Sequence, residues 1–365
     1  MERWAIREDF VMMGNENRPI GRRDFLSALG AGVASGAMLA QASDARAQDK
    51  PAQPLRVVDF HNHYVGPSFT LTTMNNAPPA LRENQARVNV LLSDPRALLG
   101  SLDVAGVAAR VINTPTAFLQ DSEGNVPKGT IPRINDEIAN LAAKNAGKVY
   151  GLATVDAYSG DDGARELTRA VRELGLRGVF IESAKGDLLP NAPQARPTLA
   201  TAAQLGIPVF IHPITDPTMH KRFGQTGRQG VRLARATINS LALMSLLEGG
   251  VYDELPNLKV VVTTLAIGGV LMAGGFGEGQ RIRRDTPADK RRHVYIDTMG
   301  LHPALVSSVV ELLGADHVIA GTDWPIVVEK DVPARLQRAL AVAGLSAEQQ
   351  QMVAAGNTLK LLGVA

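Results

Sequence analysis

The chain of 365 residues contains no cysteine. Without thiols there is no disulfide framework, no thiolate metal site, no iron–sulfur cluster and no cysteine nucleophile. An excess of charge of one sign is also missing: 38 Lys and Arg stand against 36 Asp and Glu, a formal net charge of +2. Such a balance provides no strong field for nucleic acid or an anionic membrane, so neither is expected as a partner. Histidines number only seven, and a site built on imidazole must draw on that short roster. What is present, 45% apolar and 20% charged residues, is the make-up of a packed globular protein. The length suits two average domains or one α/β barrel with insertions.

The N-terminus reads as an address. Gly21-Arg22-Arg23-Asp24-Phe25-Leu26 places a twin-arginine pair before residues 25–40, a weakly apolar run rich in Gly and Ala. Ala45-Arg46-Ala47 then offers small residues at a cleavage position. The pattern is similar to a bacterial Tat signal peptide over residues 1–47, cut before Gln48 and handled by the Tat export machinery. It predicts a periplasmic or secreted mature domain of residues 48–365. An ordinary N-terminal helix is the alternative, and Gly30, Gly32 and Gly36 weaken it. The run is shorter than the roughly 20 residues a membrane span needs. Met12 and Met13 are alternative starts.

Beyond residue 48, short β-branched runs alternate with stretches of helical spacing. Strands are expected at 55–60, 109–113, 149–154, 178–181, 208–211, 259–263, 294–297 and 318–321. Asp94-Pro95 reads as a helix N-cap with proline at the first helical position, and Gly106 as the stop. Eight near-continuous apolar strands separated by helices predict an α/β fold, a (β/α)8 TIM barrel. A doubly wound open sheet is the alternative, and it lacks its Gly-rich fingerprint after the first strand. Residues 64–93 and 216–228 interrupt the alternation after strands, hence as insertions on the active face. The glycine-rich run 274–279 is also expected there as a flexible loop.

The first strand ends in Asp59-Phe60-His61-Asn62-His63. Residues two apart on a strand share a side, so His61 and His63 can aim at one point. Taken alone the pair is weak evidence, and two surface histidines at a strand end are the plainer reading. The fifth strand ends in His212 and the eighth in Gly321-Thr322-Asp323-Trp324-Pro325. A closed barrel delivers all these ends to one mouth. A histidine closing an apolar strand is costly unless something pairs with it. Nitrogen and oxygen ligands of this kind suit zinc, with manganese or iron as alternatives.

This order and spacing resembles the amidohydrolase superfamily. The nearest branch is amidohydrolase-2, which includes aminocarboxymuconate-semialdehyde decarboxylase and related decarboxylases and lactone hydrolases. Asp59-Phe60-His61-Asn62-His63-Tyr64, Asp297-Thr298 and Gly321-Thr322-Asp323 carry the likeness, which extends over roughly residues 55–363. It implies one divalent metal held by His61, His63, His212 and Asp323, with Asp323 also taking a proton. It implies a metal-dependent hydrolase, in which activated water attacks a lactone, ester or amide carbonyl of a small aromatic-acid-derived substrate. The alternative is a nonoxidative decarboxylase (carboxy-lyase) of an aromatic or unsaturated acid. A non-catalytic metal-containing binding protein is the third reading, against which the intact ligand set speaks. Barrels of this branch are commonly homo-oligomers.

One departure bears on the choice. Many relatives carry a histidine in a Thr-His-Leu-Gly-Gly-like run after strand six; here the run is Thr263-Thr264-Leu265-Ala266-Ile267-Gly268-Gly269. Thr264 can bind substrate but cannot exchange a proton near pH 7, which favours hydrolysis over decarboxylation. His302 and His220, both after strands, are candidates to restore an acid or base; solvated loop histidines are the plainer reading. Glu182 and Trp324 are candidate pocket residues, with a Glu182 salt bridge to Lys185 or Arg177 and a packed rim aromatic as alternatives. His293 and His317 precede strands and belong to the stability face.

Overall fold

A computed structural model describes residues 54–71, 79–121, 125–276 and 281–365. The proposed leader, 1–47, lies outside the described residues. The strands are β1 (Val58–His63), β2 (Ala109–Asn113), β3 (Val149–Gly151), β4 (Ala153–Thr154), β5 (Val179–Glu182), β6 (Pro208–His212), β7 (Lys259–Val262), β8 (His293–Asp297) and β9 (Val318–Ile319). All neighbours pair in parallel, in the orders β1-β2-β3 and β4 through β9. Leu152 joins β3 to β4: its N–H donates to Ile112 O at 2.9 Å, and the next N–H, of Ala153, donates to Gly178 O at 2.8 Å. The expected 149–154 strand is therefore one barrel strand that changes partners midway.

The barrel closes between its first and last strands. Phe60 N–H donates to Ala320 O at 2.9 Å, Asp323 N–H to His61 O at 2.9 Å and His63 N–H to Trp324 O at 2.7 Å. Inside lies a buried cluster contributed around the ring by Phe60, Val111, Leu152, Phe180, Phe210 and Val261, among others. A larger buried shell lies between the strands and the helices. This is the filled interior of a TIM barrel.

Helices follow the strands: α1 (Pro79–Ser93), α2 (Pro95–Ala105), α3 (Thr130–Lys144), α4 (Asp161–Arg172), α5 (Arg196–Leu205), α6 (Pro217–Phe223), α7 (Arg228–Glu248), α8 (Val251–Glu254), α9 (Ile267–Gly275), α10 (Pro303–Leu313) and α11 (Val332–Val342). Asp94 caps α2, its side chain accepting from Arg96 N–H, and Gly106 ends it in the left-handed conformation that costs glycine nothing. The two insertions hold α1 and α6. The glycine-rich run is a correction: Gly274 and Gly275 end α9, and Gly274 packs on Leu312 of α10. Since α9 leads towards the start of β8, these glycines lie at the end of the barrel opposite the strand C-termini; positions 277–279 are outside the described residues. No helix among the described residues is long and apolar enough to cross a membrane.

One irregularity places the site. Val58 and Asp59 pair with Ala109 and Arg110, but Asn62 and His63 pair with Ile112 and Asn113, so β1 holds one extra residue between Asp59 and Asn62. This is a β-bulge, which re-aims side chains. Phe60 fills the barrel interior while the next residue, His61, joins the cluster at the mouth.

Candidate metal centre at the barrel mouth

His61, His63, His212 and Asp323 bring one ligand atom each to within 4.8 Å of one another. The two β1 histidines come from the bulged strand end, His212 from the end of β6, and Asp323 from the turn after β9. Asp323 has φ +69°, a backbone state uncommon for a non-glycine residue and characteristic of functional sites. Its carboxylate is 18% exposed, and its Oδ1 lies 3.1 Å from His63 Nε2 and 3.4 Å from His61 Nε2.

The supports of these side chains fix their tautomers. His61 Nδ1 meets Asp297 Oδ2 at 2.7 Å, and His63 Nδ1 meets Asn113 Oδ1 at 2.8 Å. With Nδ1–H donating in both, each Nε2 keeps a lone pair for the centre. Asp297 is itself held by N–H groups of Thr264 and Met299 on its Oδ1, at 3.0 and 3.1 Å. Gly321 permits this packing, since a Cβ there would lie 3.0 Å from Asp297 Cβ and 3.1 Å from His61 Cβ.

His61 Nε2, His63 Nε2 and Asp323 Oδ1 are buried with no hydrogen-bond partner. Unpaired buried polar atoms are rare and costly, and three converging lone-pair donors match the demand of a divalent cation. Burial pushes the His63 pKa down, and burial with His63, Arg235 and His61 nearby pushes that of His212 well down. Both are neutral at pH 7, the form that ligates metal. Burial also opposes a proton on His61, but Asp323 and Asp297 outweigh it and raise its pKa. The carboxylates that favour a proton there favour a metal cation equally. The four residues therefore form a divalent-metal site.

Thr264 is 7% exposed and its Oγ1 is buried without a hydrogen-bond partner. Glu182 stands beside His212 in register. Its Oε1 accepts from Thr116 N–H at 2.9 Å and Thr116 Oγ1–H at 2.6 Å, and burial raises its pKa against the pull of Thr116 and Arg235. The alternative of a salt bridge from Lys185 does not hold: Lys185 pairs with Asp156 at 2.5 Å instead. His220 lies on α6 with Nδ1 buried and unpartnered. His302 is exposed and caps α10, its Nδ1 accepting from Ala304 N–H at 3.2 Å, so the structure gives it a helix-end role apart from the cluster. Trp324 is 2% exposed and packs in the outer shell beneath the Arg110 guanidinium. The left-handed turn at Asp323 sends the carboxylate to the mouth and the next side chain away from it, which corrects the reading of Trp324 as a pocket wall.

Sequence reasoning missed Asp297 and Asn113 as supports of the ligands. Asp297 carried a signal, since a carboxylate closing a buried apolar strand needs a partner as much as Asp323 does. Asn113 carried none.

A (β/α)8 barrel with three histidines and an aspartate at its C-terminal mouth defines a class of metal-dependent enzymes. Residues 58–364 match the Amidohydrolase family model of the amidohydrolase-2 branch, and the chain belongs to that family. It is 26% identical over 280 residues to the 2-amino-3-carboxymuconate-6-semialdehyde decarboxylase of Dictyostelium discoideum, covering 74% of this chain and 77% of that one. It is 29% identical over 215 residues to the gamma-resorcylate decarboxylase of Rhodococcus jostii, covering 53% of this chain and 65% of that one. In fold it is similar to the 2,6-dihydroxybenzoate decarboxylase from Rhizobium, with TM-score 0.65 and 20% identity over 85% of this chain and 99% of that one. A 5-carboxyvanillate decarboxylase from Novosphingobium aromaticivorans, complexed with manganese and 4-hydroxy-3-methoxy-5-nitrobenzoic acid, gives TM-score 0.68 at 18% identity, over 85% and 96%.

Proposed function

We propose that the protein is a divalent-metal-dependent, nonoxidative decarboxylase of a small aromatic or unsaturated carboxylic acid. This reverses the order expected from the sequence, where the hydrolase came first. The observation that carries it is the cluster of His61, His63, His212 and Asp323 in a chain whose named relatives are decarboxylases. Manganese stands beside zinc as the metal, because similar structures hold manganese. Held by His61, His63, His212 and Asp323, the metal would supply positive charge to hold an anionic substrate carboxylate.

The chain's own residues do the rest. Loss of carbon dioxide leaves the electron pair of the broken bond on carbon, and that carbon must take a proton. Asp323, part-exposed at the mouth, is our candidate to carry it, and His220, with its unpartnered Nδ1, is the alternative. Thr264 has no titratable proton near pH 7, so its buried hydroxyl serves the substrate as a neutral hydrogen-bond partner. Glu182, beside His212 in register, is the proposed partner of a substrate hydroxyl. Asp323→Asn lowers turnover by about a hundred- to ten-thousandfold, the range of a lost general acid.

The test is carbon dioxide release from 2,6-dihydroxybenzoate, 5-carboxyvanillate and related acids by the Mn2+-loaded protein, run beside acid release from lactones. Lactone hydrolysis without carbon dioxide from any acid sinks the decarboxylase reading. Export by the Tat route is proposed with it, supported by Arg22-Arg23 and Ala45-Arg46-Ala47. Periplasmic protein starting at Gln48 is the expected result of N-terminal sequencing, and a cytoplasmic chain retaining Arg22 refutes it.

A further inference from the structure

We infer that Arg110 is a positioning residue for the metal centre: its guanidinium holds the β1 bulge that aims His61 and the turn that carries Asp323. Arg110 touches no ligand atom and acts through the side chains of Asp59, Asn62 and Thr322 on either side of the seam.

The geometry is specific. Arg110 is buried on the outer side of β2, since its neighbours Ala109 and Val111 fill the barrel interior. Its Nη1 donates to Asp59 Oδ2 and to Asn62 Oδ1, both at 2.5 Å. Those two residues bracket the bulge, so one guanidinium spans the inserted residue. The same Nη1 reaches Thr322 Oγ1 at 3.4 Å, and the guanidinium carbon lies 5.3 Å from the Trp324 ring centroid. Thr322 and Trp324 flank Asp323. Asp59 ties the halves together: its Oδ1 accepts from Thr322 N–H at 3.0 Å and His61 N–H at 3.3 Å, and its Oδ2 from Thr322 Oγ1–H at 2.6 Å. The other side of the guanidinium is anchored on α2, where Nε donates to Ser101 Oγ at 3.0 Å.

A buried ion pair is in general a poor source of stability, because desolvation consumes much of the attraction. Its best-attested use is to specify one arrangement over another. A bulge is a place where such specification is needed, since a slip of one residue turns a strand's side chains to the opposite face. Here the slip would turn His61 away from His212 and Asp323. Lysine cannot substitute fully: it brings one point charge on a flexible stem, whereas the planar fork donates on both sides at fixed angles.

The inference does not depend on the reaction proposed above, and its readout is metal binding, not turnover. Full-length protein is titrated with Mn2+, and free ion is read by electron paramagnetic resonance. Arg110→Met and Arg110→Lys are expected to weaken Mn2+ binding by about tenfold or more, as loss of outer supports of metal ligands does, with Arg110→Lys the less affected. The neutral pair Asp59→Asn with Arg110→Gln is expected to regain folding stability but not affinity, because the bulge still lacks its fork. Leu199→Ala, a cavity in the outer core on α5, serves as control: it lowers stability and leaves affinity unchanged. Wild-type affinity in Arg110→Lys, in a folded protein, overturns the inference. So does full recovery of affinity in the neutral pair, which would make Arg110 a charge partner only. A metal-stripped wild-type protein that binds neither Mn2+ nor Zn2+ overturns the metal centre and this inference together.

Discussion

Asp297 shows how much of this centre rests on residues that never meet the metal. Its Oδ2 sets the His61 tautomer while its Oδ1 collects two backbone N–H groups from the ends of β7 and β8. Asp297→Asn keeps the shape but can present an N–H where His61 needs an acceptor. Metal affinity should fall by about ten- to a hundredfold, measured by competition with a chelator dye; unchanged affinity would mean His61 is oriented by packing alone. The ligands themselves were legible in the sequence because they fall at or just beyond the ends of apolar strands that a closed barrel delivers to one mouth. Trp324 was misread for the same reason. Its position after a strand suggested the mouth, but backbone handedness at Asp323 decides the direction, and no residue pattern announces a left-handed aspartate.

At the scale of elements, boundaries followed local chemistry closely. Asp94-Pro95 and Gly106 delimit α2 as the sequence predicted. The same Asp-Pro signature recurs at Asp216-Pro217, where Asp216 accepts from Met219 N–H and opens α6; this start was readable within an insertion that otherwise shows no pattern. Asp94→Ala should cost about 1 kcal/mol of stability, the usual worth of an N-cap, seen as a lower urea midpoint at unchanged slope. Because α2 also presents Ser101 to Arg110, a larger loss would show that the cap is coupled to the seam. The bulge in β1 was not legible. Alternation alone puts Phe60 and His61 on opposite faces, and both face inward because an inserted residue shifts the phase. The clue was the pair of opposite charges, Asp59 and Arg110, within two neighbouring apolar strands, and its meaning depends on a register that only the folded sheet defines.

For the whole molecule, eight strand signals favoured a closed barrel, and the lack of a Gly-rich fingerprint after the first strand weighed against the open doubly wound sheet. The two ends of the barrel then divide the histidines by task. At the N-terminal end, His317 is buried, stacks on Tyr295 at 4.4 Å between ring centroids and donates from Nδ1 to Val294 O at 2.8 Å. Burial lowers its pKa from 6.5 to about 4, with Arg291 adding to the effect. The folded state therefore resists a proton that the unfolded chain accepts. Stability from this source is intact above pH 6.5 and is lost as pH falls from 6.5 towards 4, by up to about 3 kcal/mol. In His317→Gln the drop in urea midpoint between pH 7 and pH 4.5 should be smaller than in the wild type; an equal drop would assign the acid sensitivity elsewhere. The seam between β1 and β9 has a further consequence, for the order of events in a cell. Asp59 and Thr322 are separated by 263 positions, so the half of the centre made first waits for the half made last. Until the ribosome has released nearly the entire barrel, β1 has an open edge and His61 and His63 have no aspartate opposite them. A three-histidine, one-aspartate site then does not exist for any nascent chain, and metal selection becomes a property of the finished fold and of the compartment in which folding ends.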